Sequence, residues 1–183
     1  MSTSFGVPTS QTMHDVGGIL ATFLKASDVV VITGPLGAGK TTLVKGIAET
    51  LEVTGVVTSP TFVISRKHKS GAKGIGLVHV DAYRLSESSD LRDLDLDELS
   101  ADVAVIEWGA PFVEALHCDW LELFISRDED GEPLNIGQEK TWSEDDDPAS
   151  GVRAISVIGH GTRWHDVVPK IENELAKLLA VNE

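Results

Sequence analysis

Short apolar runs alternate along the chain with segments in which apolar residues recur at helical spacing. Three strand-sized runs, at residues 28–33, 76–81 and 103–107, are almost wholly apolar. Such runs are typical of strands buried on both faces of a parallel sheet. Helical spacing occurs at residues 11–25, 40–51 and 164–181, and Ser10 is the predicted N-cap of the first helix. Further strands are predicted at residues 62–68, 120–126 and 154–159, the last two as an antiparallel pair.

A glycine-rich turn lies between the first apolar run and the helix predicted to begin at Lys40. It matches the phosphate-binding pattern G-x-x-x-x-G-K-[ST] at every fixed position, with the sequence Gly34, Pro35, Leu36, Gly37, Ala38, Gly39, Lys40, Thr41. Glycines let backbone N–H groups converge on phosphate oxygens, and the helix adds the positive end of its dipole. Lys40 can reach the β- and γ-phosphates, and the Thr41 hydroxyl suits Mg²⁺. The turn therefore predicts a nucleoside triphosphate site with Mg²⁺.

Two of the buried runs end in an acid, the first of them in Asp81 and the second in Glu107. P-loop proteins need acids at the ends of neighbouring strands, where they order the metal ion and the attacking water. Both acids fit this requirement. Spacing alone does not say which of them binds the metal.

The class of nucleotide follows by elimination. The chain contains no Asn-Lys-x-Asp element, which a guanine-specific GTPase carries late in its sequence, and no Leu-Ser-Gly-Gly-Gln signature of transporter ATPases. Small-molecule kinases of this size usually carry a lid that bears arginines, whereas the arginines here are scattered. ATP is therefore favoured.

Acidic residues exceed basic ones by 29 to 15, a net charge of −14, and two stretches carry most of the difference. Residues 86–102 contain seven acids and one base, and residues 126–150 contain nine acids and two bases. Because binding to nucleic acid depends on Lys and Arg displacing counterions, direct binding of RNA or DNA is disfavoured. Residues 128–151 are also rich in Gly, Pro and Ser, which predicts a flexible acidic loop between the two late strands.

The size and composition of the chain predict one compact domain over residues 1–183. No apolar run is long enough to span a bilayer, and the first residues lack the features of a secretion signal. The single cysteine, Cys118, excludes an internal disulfide. We therefore expect a cytoplasmic protein that does not contact a membrane.

Several motifs together identify a resemblance that covers roughly residues 11–164. They are the glycine-rich turn extended to Thr42, the Ser-Pro-Thr-Phe run at 59–62, the His-Val-Asp-Ala-Tyr-Arg run at 79–84, Glu107-Trp108, and Gly-Thr-Arg-Trp at 161–164. In order and spacing they resemble the TsaE (YjeE) family, the bacterial ATPases needed to make threonylcarbamoyladenosine in tRNA. The acidic insertion at 128–151 departs from the family pattern.

The resemblance implies a three-layer α/β sandwich of the P-loop NTPase type, whose largely parallel central sheet has an antiparallel extension. It implies that Thr41 and Glu107 hold Mg²⁺, that Asp81 acts near the γ-phosphate and that Thr61 lies in a switch-like loop. Thr12 and Arg163 are expected to flank the adenine, although Arg163 can instead cap the last helix. Trp108 and Tyr83 are candidates for a surface shared with a partner, or for ordinary packing.

The resemblance also implies a function. Such a protein hydrolyses ATP to ADP and phosphate to drive or reset the complex of TsaB and TsaD, and it meets tRNA only through that complex. Turnover is expected to be weak alone and faster with the partners. The alternative is a nucleotide-dependent interaction module in which ATP binding, and not hydrolysis, controls assembly. A small-molecule kinase is disfavoured by the missing arginine lid.

Overall fold

The computed structural model describes residues 3–85, 101–113, 118–128 and 152–180. In these residues seven strands form one sheet: β1 (Ser4–Val7), β2 (Val29–Thr33), β3 (Ser65–His68), β4 (Gly76–Asp81), β5 (Asp102–Glu107), β6 (Trp120–Asp128) and β7 (Val152–His160). The helices are α1 (Ser10–Ala21), α2 (Lys40–Thr50), the short α3 (Ala110–Val113) and α4 (Val168–Ala180). Short 3₁₀ turns occupy Ala82–Arg84 and Thr162–Trp164. Apart from its first residue, which ends β6, the predicted acidic loop lies outside the described residues.

The strands follow the order β1-β7-β6-β2-β5-β4-β3 across the sheet. The four central strands, β6, β2, β5 and β4, are parallel, and β7, β1 and β3 join them antiparallel at the two flanks. Every residue of β4 and β5 is buried, and β2 is buried up to its last residue. The predicted α/β class, with parallel central strands and an antiparallel extension that includes the β6–β7 pair, is confirmed.

The larger apolar core lies between one face of the sheet and the helices α1, α2 and α4. Helices α1 and α2 pack with their backbones almost in contact because glycines face each other. A Cβ atom added at Gly17 would collide with the Leu43 carbonyl, and one added at Gly46 would collide with the His14 carbonyl. This close packing holds the beginning of α1 beside the glycine-rich turn, where the Met13 side chain packs against Gly39.

Strand β1 was not predicted from the sequence. It contains only four residues, of which Phe5 and Val7 are buried and the two between and before them are exposed. A run this short gives no usable periodicity, and its apolar residues are recognisable as a strand only through their antiparallel pairing with β7.

Several predicted boundaries differ from the structure. The N-cap of α1 is Thr9, whose hydroxyl accepts from the Thr12 N–H at 3.0 Å, and not Ser10, and the helix ends four residues before Lys25. Strand β3 begins at Ser65 and not at Phe62, because the Pro60 carbonyl accepts from the N–H groups of both Val63 and Ile64 and so turns the chain.

The final helix begins at Val168, with the preceding 3₁₀ turn as a separate element that buries Trp164 completely. Pro169 lies in the first turn of this helix, where its missing N–H breaks no hydrogen bond. In the part of the chain that the structure describes, no helix is both long enough and apolar enough to cross a bilayer.

Candidate phosphate and metal site

The glycine-rich turn connects the end of β2 to the beginning of α2. Gly37 and Gly39 have φ angles of 75° and 103°, in the left-handed region that side chains disfavour. Gly34 lies against β6, and a Cβ atom there would be 2.5 Å from the Ile125 carbonyl oxygen. Gly39 is also the N-cap of α2, and no side chain among the described residues caps this helix. Its first N–H groups can therefore bind an anion, as the motif requires.

Lys40 is buried and its ammonium group is bound inside this turn. Nζ donates to the carbonyl oxygens of Gly34 and Pro35, at 2.8 and 3.0 Å, and lies 4.2 Å from the centre of the Trp108 ring. Burial lowers the pKa of Lys40 below its ordinary value, while the nearby charges of Glu107 and Asp81 partly oppose the shift. These contacts hold a cation at the place where the β- and γ-phosphates of a nucleotide would lie.

Asp81 and Glu107 end two adjacent parallel strands and are direct neighbours in the register of the sheet. Both are almost completely buried. The Thr41 hydroxyl, in the first turn of α2, donates to Oε1 of Glu107 at 3.1 Å. The sequence placed these three residues at separate points of the chain, and the structure brings them to one edge of the sheet.

The donor set at this edge fits Mg²⁺. Thr41 and Glu107 offer a hydroxyl and a carboxylate oxygen, which are the hard ligands that the ion prefers. Within the described ranges no cluster of three or more His, Cys, Asp or Glu residues could hold a metal ion. A site with so few protein ligands is typical of Mg²⁺ that is bound jointly by a carboxylate and the phosphates of a nucleotide.

Thr61 contacts Asp81 through a short hydrogen bond. Its hydroxyl donates to Oδ2 of Asp81 at 2.6 Å and lies 2.7 Å from the Ser59 hydroxyl. The loop is tied to β4 a second time, because the Ile64 carbonyl accepts from the Asp81 N–H at 2.8 Å. Ile64 has a φ of 66°, which is costly for a β-branched residue. The loop that carries Thr61 is thus held against Asp81 in a strained conformation.

Trp108 follows Glu107 and also has a left-handed backbone, with a φ of 63°. Its N–H donates to the Ile32 carbonyl at 2.9 Å, which continues the β2–β5 pairing beyond the strand. The Trp108 ring contacts both the Lys40 ammonium and Tyr83, whose ring centre is 5.5 Å away.

Large apolar side chains are exposed around this edge of the sheet. They belong to the glycine-rich turn, to the loop that carries Thr61 and to the turn after β4: Leu36, Phe62, Val63 and Tyr83. Phe62 is 86% exposed, and the Arg84 guanidinium lies 5.5 Å from its ring centre. Large exposed apolar side chains, where they form a contiguous patch, are typical of a protein interaction site.

Arg163 lies at the other edge of the sheet. Its guanidinium makes two hydrogen bonds to Asp28, at 3.0 and 2.9 Å, and one to the Phe23 carbonyl at 2.8 Å. Asp28 immediately precedes β2, and a strand of this length places it about 17 Å from the glycine-rich turn. In this structure Arg163 anchors the chain after α1 to the start of β2, and its place beside the adenine stays a prediction.

Thr12 and Thr42 remain beside the glycine-rich turn. Thr12 is buried in the first turn of α1, where its hydroxyl lies 2.8 Å from that of Thr9, and the next residue, Met13, contacts Gly39. Thr42 is half-buried in the first turn of α2. Both positions are compatible with nucleotide contacts, and the roles of these two residues stay predictions.

The sequence analysis did not single out His79, which lies under the two acids. Its side chain is fully buried, and Nε2 is 2.9 Å from Oε1 of Glu107. A signal was present, because His79 and Asp81 are two residues apart in a strand and so point to the same face of the sheet.

Known proteins resemble this chain in sequence and in fold. A family model described as "Threonylcarbamoyl adenosine biosynthesis protein TsaE" matches residues 7–134. A protein of Streptomyces coelicolor, named tRNA threonylcarbamoyladenosine biosynthesis protein TsaE, is 49% identical over 154 residues, which are 83% of this chain and 93% of the relative. A protein of the same name from Bacillus subtilis is 40% identical over 64% of this chain and 73% of its own length. The crystal structure of YdiB from "Bacillus subtilus" superposes with a TM-score of 0.65 at 24% identity, over 97% of this chain and 95% of that one, and so shares the fold.

Proposed function

The chain belongs to the TsaE family, and on that premise we propose that it is an ATPase that hydrolyses ATP to ADP and phosphate for tRNA modification. Its role is in the biosynthesis of threonylcarbamoyladenosine in tRNA. The observation that carries the proposal is the pair of buried acids, Asp81 and Glu107, side by side at the edge of the sheet where the phosphate-binding turn begins.

Hydrolysis adds a water oxygen to the γ-phosphorus and breaks the bond to the oxygen that bridges the β- and γ-phosphates. Asp81 already accepts a hydroxyl hydrogen bond from Thr61 at 2.6 Å, so it can hold the O–H of a water molecule in the same way. Lys40 places positive charge at the phosphates. The buried position of these groups excludes bulk water and strengthens their electrostatic effect.

Thr41 and Glu107 would hold Mg²⁺, as their contact at 3.1 Å supports. The ion, when bound, neutralises developing charge on the phosphate oxygens. Glu107 is already oriented by two hydrogen bonds to one of its oxygens, from Thr41 and from His79. The protein therefore supplies an ordered carboxylate before any ligand binds.

The partners that we propose are the TsaB and TsaD proteins, on the strength of the family resemblance. The exposed apolar side chains Phe62, Val63 and Tyr83 offer them a docking surface beside the catalytic acids. An arginine contributed by a partner to the γ-phosphate accelerates related reactions by roughly 10³- to 10⁵-fold. A net charge of −14 fits a subunit that leaves tRNA to its partners and does not bind DNA.

A turnover assay tests the proposal. We expect slow release of phosphate from ATP by the protein alone and a marked increase when TsaB and TsaD are added. Asp81→Asn should remove most of this turnover and keep ATP binding, whereas Asp166→Asn, at an exposed site away from the turn, should change neither. If the rate of phosphate release with both partners present equals that of the protein alone, the proposal of a partner-coupled ATPase is wrong.

Mass spectrometry of tRNA nucleosides tests the pathway and separates hydrolysis from assembly. Cells depleted of the protein should lose threonylcarbamoyladenosine and regain it with the wild-type chain. If Asp81→Asn binds ATP, fails to hydrolyse it and still restores the modified nucleoside, the protein acts as a nucleotide-dependent interaction module. If depletion leaves the nucleoside unchanged, the chain has no role in this modification.

A further inference from the structure

His79 is a buried polar residue in an apolar environment. It lies in β4, its side chain is 0% exposed, and its neighbours in the sheet include the core residues Leu77 and Val105. Placing an imidazole in such surroundings costs free energy unless hydrogen bonds replace those of water. The position therefore calls for a specific reason to hold a histidine.

The reason lies in its contact with Glu107. Nε2 of His79 is 2.9 Å from Oε1, and the hydroxyl of Thr41 reaches the same oxygen at 3.1 Å. Because an ionised carboxylate only accepts hydrogen bonds, His79 is the donor. With both donors on Oε1, the rotation of the carboxyl group is restricted, and Oε2 takes part in neither contact.

The other ring nitrogen supports this assignment. Within the described part of the chain, Nδ1 of His79 is buried and has no hydrogen-bond partner. A buried donor without an acceptor is costly, so the proton belongs on Nε2, where it meets the carboxylate. The tautomer that the contact with Glu107 requires is thus also the one that the surrounding core favours.

We propose that His79 is a positioning residue that orients the Glu107 carboxylate for Mg²⁺. The inference rests on the proposed function, since it takes Glu107 as the metal ligand. Groups that hydrogen-bond a metal ligand from behind typically change metal affinity or activity by 10- to 100-fold when they are removed. His79 acts through Glu107 and has no contact of its own with the nucleotide.

Binding of a fluorescent ADP analogue, measured with EDTA and then across a Mg²⁺ titration, tests this role without relying on turnover. His79→Phe keeps a ring of similar size and removes the donor, and His79→Asn carries a donor on a shorter side chain that does not reach Glu107. Both should raise the half-saturating Mg²⁺ concentration roughly 10- to 100-fold. Nucleotide affinity in EDTA should change less than about twofold, because the variants alter only the part of the binding free energy that depends on Mg²⁺.

His79→Gln is the rescue variant, because its longer side chain can bring an amide N–H to Oε1. It should recover most of the Mg²⁺ dependence of the wild type. His68→Phe is the matched control: this second buried histidine lies on the adjacent strand and makes no hydrogen bond to Glu107. Its Mg²⁺ titration should match that of the wild type.

Two results overturn the inference. One is a Mg²⁺ titration that is unchanged in His79→Phe and His79→Asn, and the other is an equal loss of nucleotide affinity with and without Mg²⁺. Glu107→Ala distinguishes these results from failure of the proposed function. If Glu107→Ala also leaves the Mg²⁺ titration unchanged, Glu107 is not the ligand. If it abolishes the Mg²⁺ dependence while the His79 variants do not, only the positioning role fails.

Discussion

Buried charges lie at both ends of strand β2, but they are held by different kinds of partner. At the end where β2 begins, Asp28 binds the Arg163 guanidinium through two hydrogen bonds of 3.0 and 2.9 Å. At the end where β2 leads into the glycine-rich turn, Lys40 donates to two main-chain carbonyls and lies over an aromatic ring. The first arrangement pairs two opposite charges through direct hydrogen bonds. In the second the hydrogen-bond partners are neutral, and the charges of Glu107 and Asp81 act from nearby.

This difference separates structural from functional charges. A buried ion pair is expensive to break, because the remaining partner stays uncompensated in a medium of low dielectric constant. A buried cation held by carbonyl dipoles can exchange them for an anion and gain energy by doing so. The acids at the same end follow this rule, since Asp81 and Glu107 accept from the hydroxyls of Thr61 and Thr41. Buried charges whose neutral hydrogen-bond partners can be replaced by a ligand therefore indicate the ligand site.

Lys40→Ala is expected to have the largest effect on ligand binding at the end of β2 that leads into the glycine-rich turn. Affinity for ATP should fall roughly 100-fold or more, since each hydrogen bond to a charged group contributes about 1.5–3 kcal/mol. The thermal unfolding midpoint should change little, because the variant also removes the cost of burying the ammonium group. Calorimetric titration with ATP and a thermal melt measure the two quantities. Lys45→Ala, at an exposed position of the same helix, is the control.

Arg163→Ala should produce the opposite pattern. It leaves Asp28, whose side chain is 8% exposed, without its cationic partner, so the free energy of unfolding should fall by about 2–3 kcal/mol. The affinity of the folded protein for ATP should stay within about twofold of the wild type, because the phosphate turn lies about 17 Å away. Chemical denaturation and ATP titration check both, with the exposed Arg66→Ala as control. A loss of affinity without a loss of stability would instead place Arg163 at the nucleotide site.

The same contrast explains how much the sequence could predict. Strands β2, β4 and β5 were predicted to within one residue, because a continuous apolar run is a local signal and needs no partner to be recognised. The glycine-rich turn was recognised for the same reason, since its function depends on neighbouring residues in fixed order. Asp81 and Glu107 were found because each ends such a run.

Contacts between distant residues could not be predicted. Arg163 and Asp28 are 135 residues apart, and His79 and Glu107 are 28 apart, so only the pairing of strands brings each pair together. The motif that contains Arg163 resembled a family element and suggested the nucleotide, but the antiparallel β6–β7 pair carries it to the other edge of the sheet. Strand β1 depends in the same way on a partner near the end of the chain.

Thr61→Val tests one of the neutral hydrogen-bond partners beside the glycine-rich turn. It keeps the shape of the side chain and removes the hydroxyl that binds Asp81 at 2.6 Å. We expect roughly tenfold slower ATP turnover, equivalent to about 1.4 kcal/mol, with ATP affinity nearly unchanged. Single-turnover kinetics and equilibrium titration separate the two. Ser59→Ala removes a hydroxyl that, among the described residues, contacts Thr61 and not Asp81, and it should cost less. Equal losses in both variants would mean that the Asp81 contact has no special role.

Substitution of His68 is expected to have the smallest effect on stability. It tests the end of the sheet opposite the glycine-rich turn. His68 is buried in β3 opposite Leu77, near the beginning of β4 and away from the phosphate turn. Burial lowers the pKa of His68. A hydrogen bond with the Thr54 backbone opposes this shift, whereas the nearby His79 and Arg66 add to it. Below about pH 6.5 the unfolded chain therefore binds a proton at His68 more readily than the folded protein does. The free energy of unfolding falls as the pH falls through this window.

His68→Gln removes this titration, so its unfolding midpoint should fall less than that of the wild type between pH 7.5 and pH 5.5. Paired thermal melts at the two pH values measure the difference, and His165→Gln, at an exposed site, should behave like the wild type. An equal fall in all three proteins would place the acid sensitivity elsewhere. Added nucleotide should raise all midpoints by a similar amount at each pH, because a ligand that binds only the folded protein adds its own stabilising term. Such parallel shifts would show that nucleotide binding does not change the protonation of His68.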